Sequence, residues 1–439
     1  EIMARKYIFF LLLILFITGV AAFVEEGETL TVKNTVDMRN GPGSYYELIL
    51  RINSGAEVFE IDKEQQWLKV KAEEKEGWIP QRAAYVEKDK KQTSADQDEV
   101  TPEAEAAFKE LEDKQDSTKQ DPYASPAQVA AAVKGFATDF TSSKTGKNEY
   151  VILNDFNKFF EPAEYREFRN FRLQHWSWQK AQDRFEIDPD EVPELNPIQE
   201  KAGWGIANVI AQQGLVENKE LQQYLTHIAL VLAENSHRYE TPARVYILET
   251  NEITGYASPN GIIFVSEGAL ELIQSETEFA FFIAHELAHI VHNHGIKESE
   301  RRKTKIKADE RFEELEQEIG DREDKYEQTE DNLSQLANEM YEYTVKDRLE
   351  EYEFSADYWG IIYMYRAGYN PVGALNLLKR IRSNQGDFED RIGHAKWEGT
   401  SLRDRIIRIN SQTDNFSLPQ NFGHDYQSAF QQKVGTLDD

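Results

Sequence analysis

The chain has 439 residues, enough for two or three domains, and 40% hydrophobic with 12% aromatic residues to build a core. Its formal net charge of −29 argues against general nucleic-acid binding, which needs basic patches for phosphates. There is no cysteine, so disulfides and thiolate metal sites are excluded, and any zinc must sit on His and carboxylate.

Met3 reads as the start, with Glu1 and Ile2 an upstream remnant. Arg5 and Lys6 form a basic region ahead of the apolar run 7–20, and Val20-Ala21-Ala22 offers the small residues a signal peptidase prefers. Glu25, Glu26 and Glu28 follow, which keeps positive charge on the inner side. Residues 1–23 are therefore expected to be a signal peptide or an N-terminal anchor. In the second case the run 7–24 is a membrane tether, borderline long enough to span. Either way the rest of the chain is expected to be exported, to the periplasm or cell envelope.

Residues 25–87 alternate short β-rich runs (29–32, 57–61, 67–70, 77–79) with turn signals at Asn40-Gly41-Pro42-Gly43 and Asn53-Ser54-Gly55. Met38-Arg39-Asn40-Gly41-Pro42, the Gly55 turn, Trp67 and Gly77-Trp78-Ile79 make this segment resemble a bacterial SH3-like domain. That resemblance implies either a cell-wall or envelope-protein ligand or a structural spacer. Residues 88–127 are polar and charged with few large apolar side chains, the composition of a disordered linker. Residues 128–195 carry Phe136, Phe140, Phe156, Phe159, Phe160, Phe168, Phe171, Trp176 and Trp178 at mostly helical spacing. They are expected to pack on the domain that follows. Asp188, Asp190 and Glu191 lack EF-hand spacing and surround Pro189, so they read as a solvated loop.

From 196 to 412 the pattern is α+β. Helices are expected near 198–213, 219–235 and 275–294, and strands at 244–248 and 261–265. The last helix contains His285-Glu286-Leu287-Ala288-His289. On a helix, residues four apart share a face, so His285 and His289 can hold one zinc ion, with Glu286 beside them as general base. Ser275-Glu276-Thr277-Glu278 reads as a capping box at the helix start and Gly295 as its stop. His292 and His294 read as polar residues of a frayed last turn rather than ligands. A catalytic zinc needs a third protein ligand. Glu353-Phe354-Ser355-Ala356-Asp357 supplies Glu353 as that ligand, and Asp357, one turn on, to hold the ring N–H of a ligand His.

Three blocks, "NEITGYASPNGIIFVSEGAL" (251–270), "SETEFAFFIAHELAHIVHNHG" (275–295) and "EYEFSADYWG" (351–360), make the segment 196–412 resemble the zinc metallopeptidases that include the CAAX prenyl protease and the heat-shock protease HtpX. The resemblance implies one Zn²⁺ on His285, His289 and Glu353, Glu286 as base, and Asp357 behind the ligands. It implies an exported protease–chaperone of envelope quality control acting on protein or peptide substrates. The 261–265 strand is expected to be the sheet edge along which an extended substrate pairs. Family members usually carry a His-Pro pair shortly before a final helix. Here the helix fits, with Arg405 at the Arg position, but Gly399 stands at the His position and His394 lies nearby. Arg405 or His394 is expected to stabilise the developing oxyanion.

Within the domain, the charged insert 297–348 repeats Phe312, Ile319, Tyr326, Leu333 and Met340 every seven residues. It reads as two helical arms or one bent helix, amphipathic and acidic, and as either a solvated ornament or a lid. Residues 413–439 form a C-terminal tail. The expected fold class is multidomain. A small all-β SH3-like barrel precedes an α+β, mainly helical, zincin-type metallopeptidase domain with a small sheet and a long helical insert.

Overall fold

The computed structural model describes residues 28–33, 35–85, 160–174, 184–192, 350–383, 402–416 and 426–437, and 203–297 apart from 205, 208–209, 212 and 296. The signal or anchor segment, the 88–127 linker, the insert beyond residue 297, and the stretch 384–401 with His394 and Gly399 lie outside the described residues. The chain forms two compact units, residues 1–118 and 119–439.

The first unit is all β. Strands β1 (Thr29–Val32), β2 (Val36–Arg39), β3 (Leu48–Ile52), β4 (Glu57–Glu64), β5 (Trp67–Ala72), β6 (Lys75–Pro80) and β7 (Ala84–Tyr85) form one seven-stranded sheet in the order β3-β2-β6-β5-β4-β1-β7. Every pairing is antiparallel. Alternation decides which face is buried. In β2, Val36 and Met38 enter the core with Leu30, Val32, Val58, Val70 and Ile79, while Asp37 and Arg39 face away from it. There Asp37 accepts from Arg51 Nε at 2.8 Å across the β2–β3 pair and from Arg39 Nη2 at 3.2 Å. Arg39 Nη1 also donates to Tyr46 O at 2.9 Å, and Asn40 N donates to Glu47 O at 2.9 Å, closing the Asn40–Glu47 loop. Gly77 is dictated by close approach: a Cβ there would lie 2.8 Å from Arg39 O.

The second unit is mainly helical. Among the described residues its helices include α1 (Pro162–Gln174), α2 (Lys219–Glu234), α3 (Glu267–Leu272), α4 (Glu276–Val291), α5 (Glu350–Arg366), α6 (Val372–Ser383), α7 (Leu402–Phe416) and α8 (Gln427–Val434). Between α2 and α3 lie β8 (Arg244–Leu248), β9 (Gly255–Ala257) and β10 (Ile262–Ser266), which form a three-stranded sheet. Helix α4 is buried along its whole length and packs against α5, with α2, α6, α8 and β9 around it. Phe160 and Phe168 pack on His227, and Phe168 also on Tyr224. Phe171 is 50% exposed instead. Asp188, Asp190 and Glu191 form an exposed turn in which Asp188 Oδ1 accepts from Asp190 N at 2.9 Å.

The expected sheet edge is wrong. Strand β10 is central, parallel to β8 and antiparallel to β9. Its run Ile262, Ile263, Phe264, Val265 is buried on both faces, the pattern of an interior strand. The far side of β8 is covered by the chain at 214–216, where Val216 N donates to Ile247 O at 2.9 Å and Glu249 N to Gly214 O at 3.0 Å. Among the described residues the outer edge of this sheet is therefore β9.

Candidate metal centre

Helix α4 starts where the sequence says and ends where it does not. Ser275 Oγ accepts from Glu278 N at 3.3 Å, the first half of the capping box. The second half is altered: Glu278 reaches back to Gln274 N at 2.8 Å and pairs with Arg380 of α6. At the other end the stop is Asn293, not Gly295. Asn293 takes φ +53, a left-handed turn that asparagine tolerates, and its N–H returns to Ile290 O at 3.2 Å. Arg238 fixes this turn by donating to Ile290 O and to Asn293 Oδ1, both at 3.2 Å.

Inside this helix His285 and His289 share a face, with their Nε2 atoms 3.2 Å apart. Helix α5 brings Glu353 onto the same point: Oε2 lies 3.3 Å from His285 Nε2 and Oε1 lies 3.3 Å from His289 Nε2. Gly360 permits this approach, since a Cβ there would sit 3.1 Å from His285 N. These three residues are the group among the described residues able to hold a metal ion. Ligands about 2.0–2.1 Å from a tetrahedral zinc stand roughly 3.3 Å from one another, so the donor spacing fits zinc. Charge agrees. With neutral imidazoles and ionised carboxylates, buried Glu286, Glu353 and Asp357 outnumber buried Arg405 by two charges, which a divalent cation offsets.

Around the three donors lies a set of orienting contacts. His285 Nδ1 meets Asp357 Oδ1 at 3.0 Å. Arg405, 1% exposed on α7, donates to Asp357 from Nε (2.8 Å to Oδ2) and Nη2 (2.7 Å to Oδ1), and its Nη1 is 3.4 Å from Glu353 Oε2. Its fork grips Asp357 and abuts Glu353, so it steadies these two carboxylates. Glu286 is 2% exposed beside His285.

Burial alone would lower the His285 pKa, but the Glu353 charge and hydrogen bonds to Asp357 and Glu353 outweigh it and raise the pKa above its ordinary value. Burial alone would raise the Glu353 pKa, but His285 and His289 hold its carboxyl well below the usual range. Asp357 is likewise lowered: Arg405 and His285 overcome its burial. Zinc must therefore displace a proton from His285, while Glu353 stays ionised. Below the raised His285 pKa, apparent zinc affinity is expected to fall about tenfold per pH unit for each proton displaced. Zinc titration across a pH series checks this, and a flat profile there would contradict it.

His292 and His294 are not frayed. His292 Nε2 meets Tyr363 OH at 2.9 Å, its ring stacks on Trp359, and burial with nearby His237 pushes its pKa down to about 3. Tyr363 OH also meets His237 Nδ1 at 2.9 Å. His294 is 3% exposed, with Nδ1 3.0 Å from His289 Nδ1. The sequence signal for this fold-back is Asn293, a residue prone to left-handed turns directly before His294.

Comparison with known families agrees with this geometry. The model of Peptidase family M48 matches residues 217–413, and that of the bacterial SH3 domain matches residues 20–84. The second unit thus carries a metalloprotease domain of the M48 type, and the first an SH3 domain. No curated protein matches the chain.

Proposed function

We propose that the chain is an exported zinc metalloendopeptidase of the CAAX prenyl protease and HtpX type, hydrolysing peptide bonds of misfolded or envelope proteins. The observation that carries this reading is the convergence of His285, His289 and Glu353 beside Glu286, inside an M48 peptidase domain. When bound, zinc supplies a Lewis acid that acidifies water and polarises a peptide carbonyl. Glu286 takes the proton of the attacking water and passes it to the departing amine. Asp357, gripped by Arg405, keeps the His285 ring in one tautomer and orientation. With Arg405 engaged there, His394 is the remaining sequence candidate for stabilising the oxyanion.

An extended substrate would add a strand along the outer edge of β9, beside the metal-bearing helix. The closeness of β9 to α4 supports this: a Cβ at Gly255 would collide with the Phe282 ring. Export is inferred from the basic start and the apolar run 7–24. Among the described residues no helix is long and apolar enough to cross a membrane. The SH3 domain would hold a cell-wall or envelope-protein ligand.

The test uses the full chain. It should bind one zinc, cleave casein, lose that activity to a chelator and regain it with zinc. Casein cleavage that survives complete zinc removal would sink the assignment.

A further inference from the structure

The geometry points to His294 as the positioning residue for the metal ligand His289, a role that rests on the metallopeptidase reading. Its Nδ1 accepts the Nδ1–H of His289 and so fixes the direction in which His289 offers Nε2. The two Nδ1 atoms are 3.0 Å apart. An imidazole that gives its Nε2 lone pair to a cation is neutral and carries its proton on Nδ1. His289 is then the donor of this hydrogen bond and His294 the acceptor.

Helical spacing alone would not produce this contact. Five residues beyond His289, a continued helix would place residue 294 about 140° away around the axis. The left-handed turn at Asn293, held by Arg238, folds the chain back so that His294 lies beneath the ligand. The ring is then fixed between the metal-bearing helices. It stacks on Tyr352 of α5, next to Glu353, with centroids 4.9 Å apart, and on His292 at 5.8 Å.

The two ligand histidines therefore have unlike partners. His285 has the carboxylate of Asp357, balanced by Arg405. His289 has a neutral imidazole. The pocket already holds two more carboxylates than guanidinium groups, so a further carboxylate behind His289 would leave a negative charge that a divalent cation does not offset. A neutral acceptor orients the ligand without that cost.

Three variants separate an acceptor from a packing role. His294→Phe keeps the ring and its stacking on Tyr352 but has no acceptor. His294→Asn loses the ring but places an amide oxygen near the position of Nδ1. His294→Leu matches Asn in size without the acceptor. Zinc affinity of the full-length proteins is measured by competition with a chromogenic chelator, alongside kcat and KM on a casein peptide. His294→Phe and His294→Leu should bind zinc about 10–100-fold more weakly, whereas His294→Asn should stay close to the parent with KM unmoved. If His294→Phe does not fold, the Asn–Leu pair carries the same contrast. Parental affinity in the Phe or Leu variant, or an Asn variant as weak as they are, would overturn the role of His294. A parent chain that binds no zinc would instead overturn the metallopeptidase reading, which keeps the two failures apart.

Discussion

Glu286→Gln is expected to bind one zinc per chain, as the parent does, and to cleave casein about 10²–10⁴-fold more slowly. The substitution preserves the size and shape of the side chain, so a buried position on a helix packed along its full length is not opened. It leaves His285, His289 and Glu353, the three donors that converge to within 3.3 Å of one another, untouched. What it removes is a basic oxygen able to take a proton from water and return it to the amine. Metal content by elemental analysis and cleavage rate on the same sample divide the two properties. Zinc retained with cleavage lost supports Glu286 as the base. Undiminished cleavage removes it from the mechanism, and loss of both zinc and cleavage places it among the groups that hold the metal.

The parts of this centre that depend on local order were legible in the sequence. Ser275 before an apolar run marks the start of α4, and spacing by four puts His285 with His289 and Glu353 with Asp357 on common faces. The misread parts are set by partners distant in sequence. The end of α4 is fixed by Arg238, 52 residues before the Ile290 carbonyl that it binds, so Gly295 looked like the stop and His294 looked frayed. Arg405 could be found by position, but its commitment to Asp357, 48 residues away, is a fact of packing. The sheet order was recoverable in principle. A strand reading Ile262, Ile263, Phe264, Val265 has no polar face to give to solvent, which favours the centre of a sheet over its edge. In the first unit Gly55 was informative as a turn residue because it answers to a local constraint, a positive φ of +80, whereas Gly77 lies within β6 and answers to the close backbone of Arg39, 38 residues away.

Glu276→Ala is expected to destabilise the second unit by about 3–5 kcal/mol, the scale for stranding a buried charge. Glu276 opens α4, is fully buried, and accepts four hydrogen bonds. Arg172 of α1 donates from Nε to Oε1 and from Nη2 to Oε2, both at 2.7 Å. Tyr224 of α2 donates to Oε2 at 2.5 Å, and Tyr369, between α5 and α6, to Oε1 at 2.8 Å. One carboxylate thus ties three other parts of the chain to the N-terminus of the helix that carries His285 and His289, where negative charge also suits the helix dipole. Alanine leaves the Arg172 guanidinium against the rings of Phe168 and Tyr426 with no counter-charge among the described residues, and leaves the buried Tyr369 phenol and the half-buried Tyr224 phenol without their acceptor. Glutamine recovers little, because it offers one acceptor oxygen and turns an amide NH2 donor toward a ring of donors. At about 2–4 °C per kcal/mol, the melting temperature should fall on the order of 10 °C, against almost no change for the exposed control Glu252→Ala. A Glu276→Ala transition that coincides with the control's would show that the cluster is not a main support of α4. Saturating zinc should restore part of the loss, because a ligand that binds only the folded site adds its binding free energy to the folded state. The size of that recovery measures how far the anchor at Glu276 and the metal site at the other end of α4 stabilise the same folded unit.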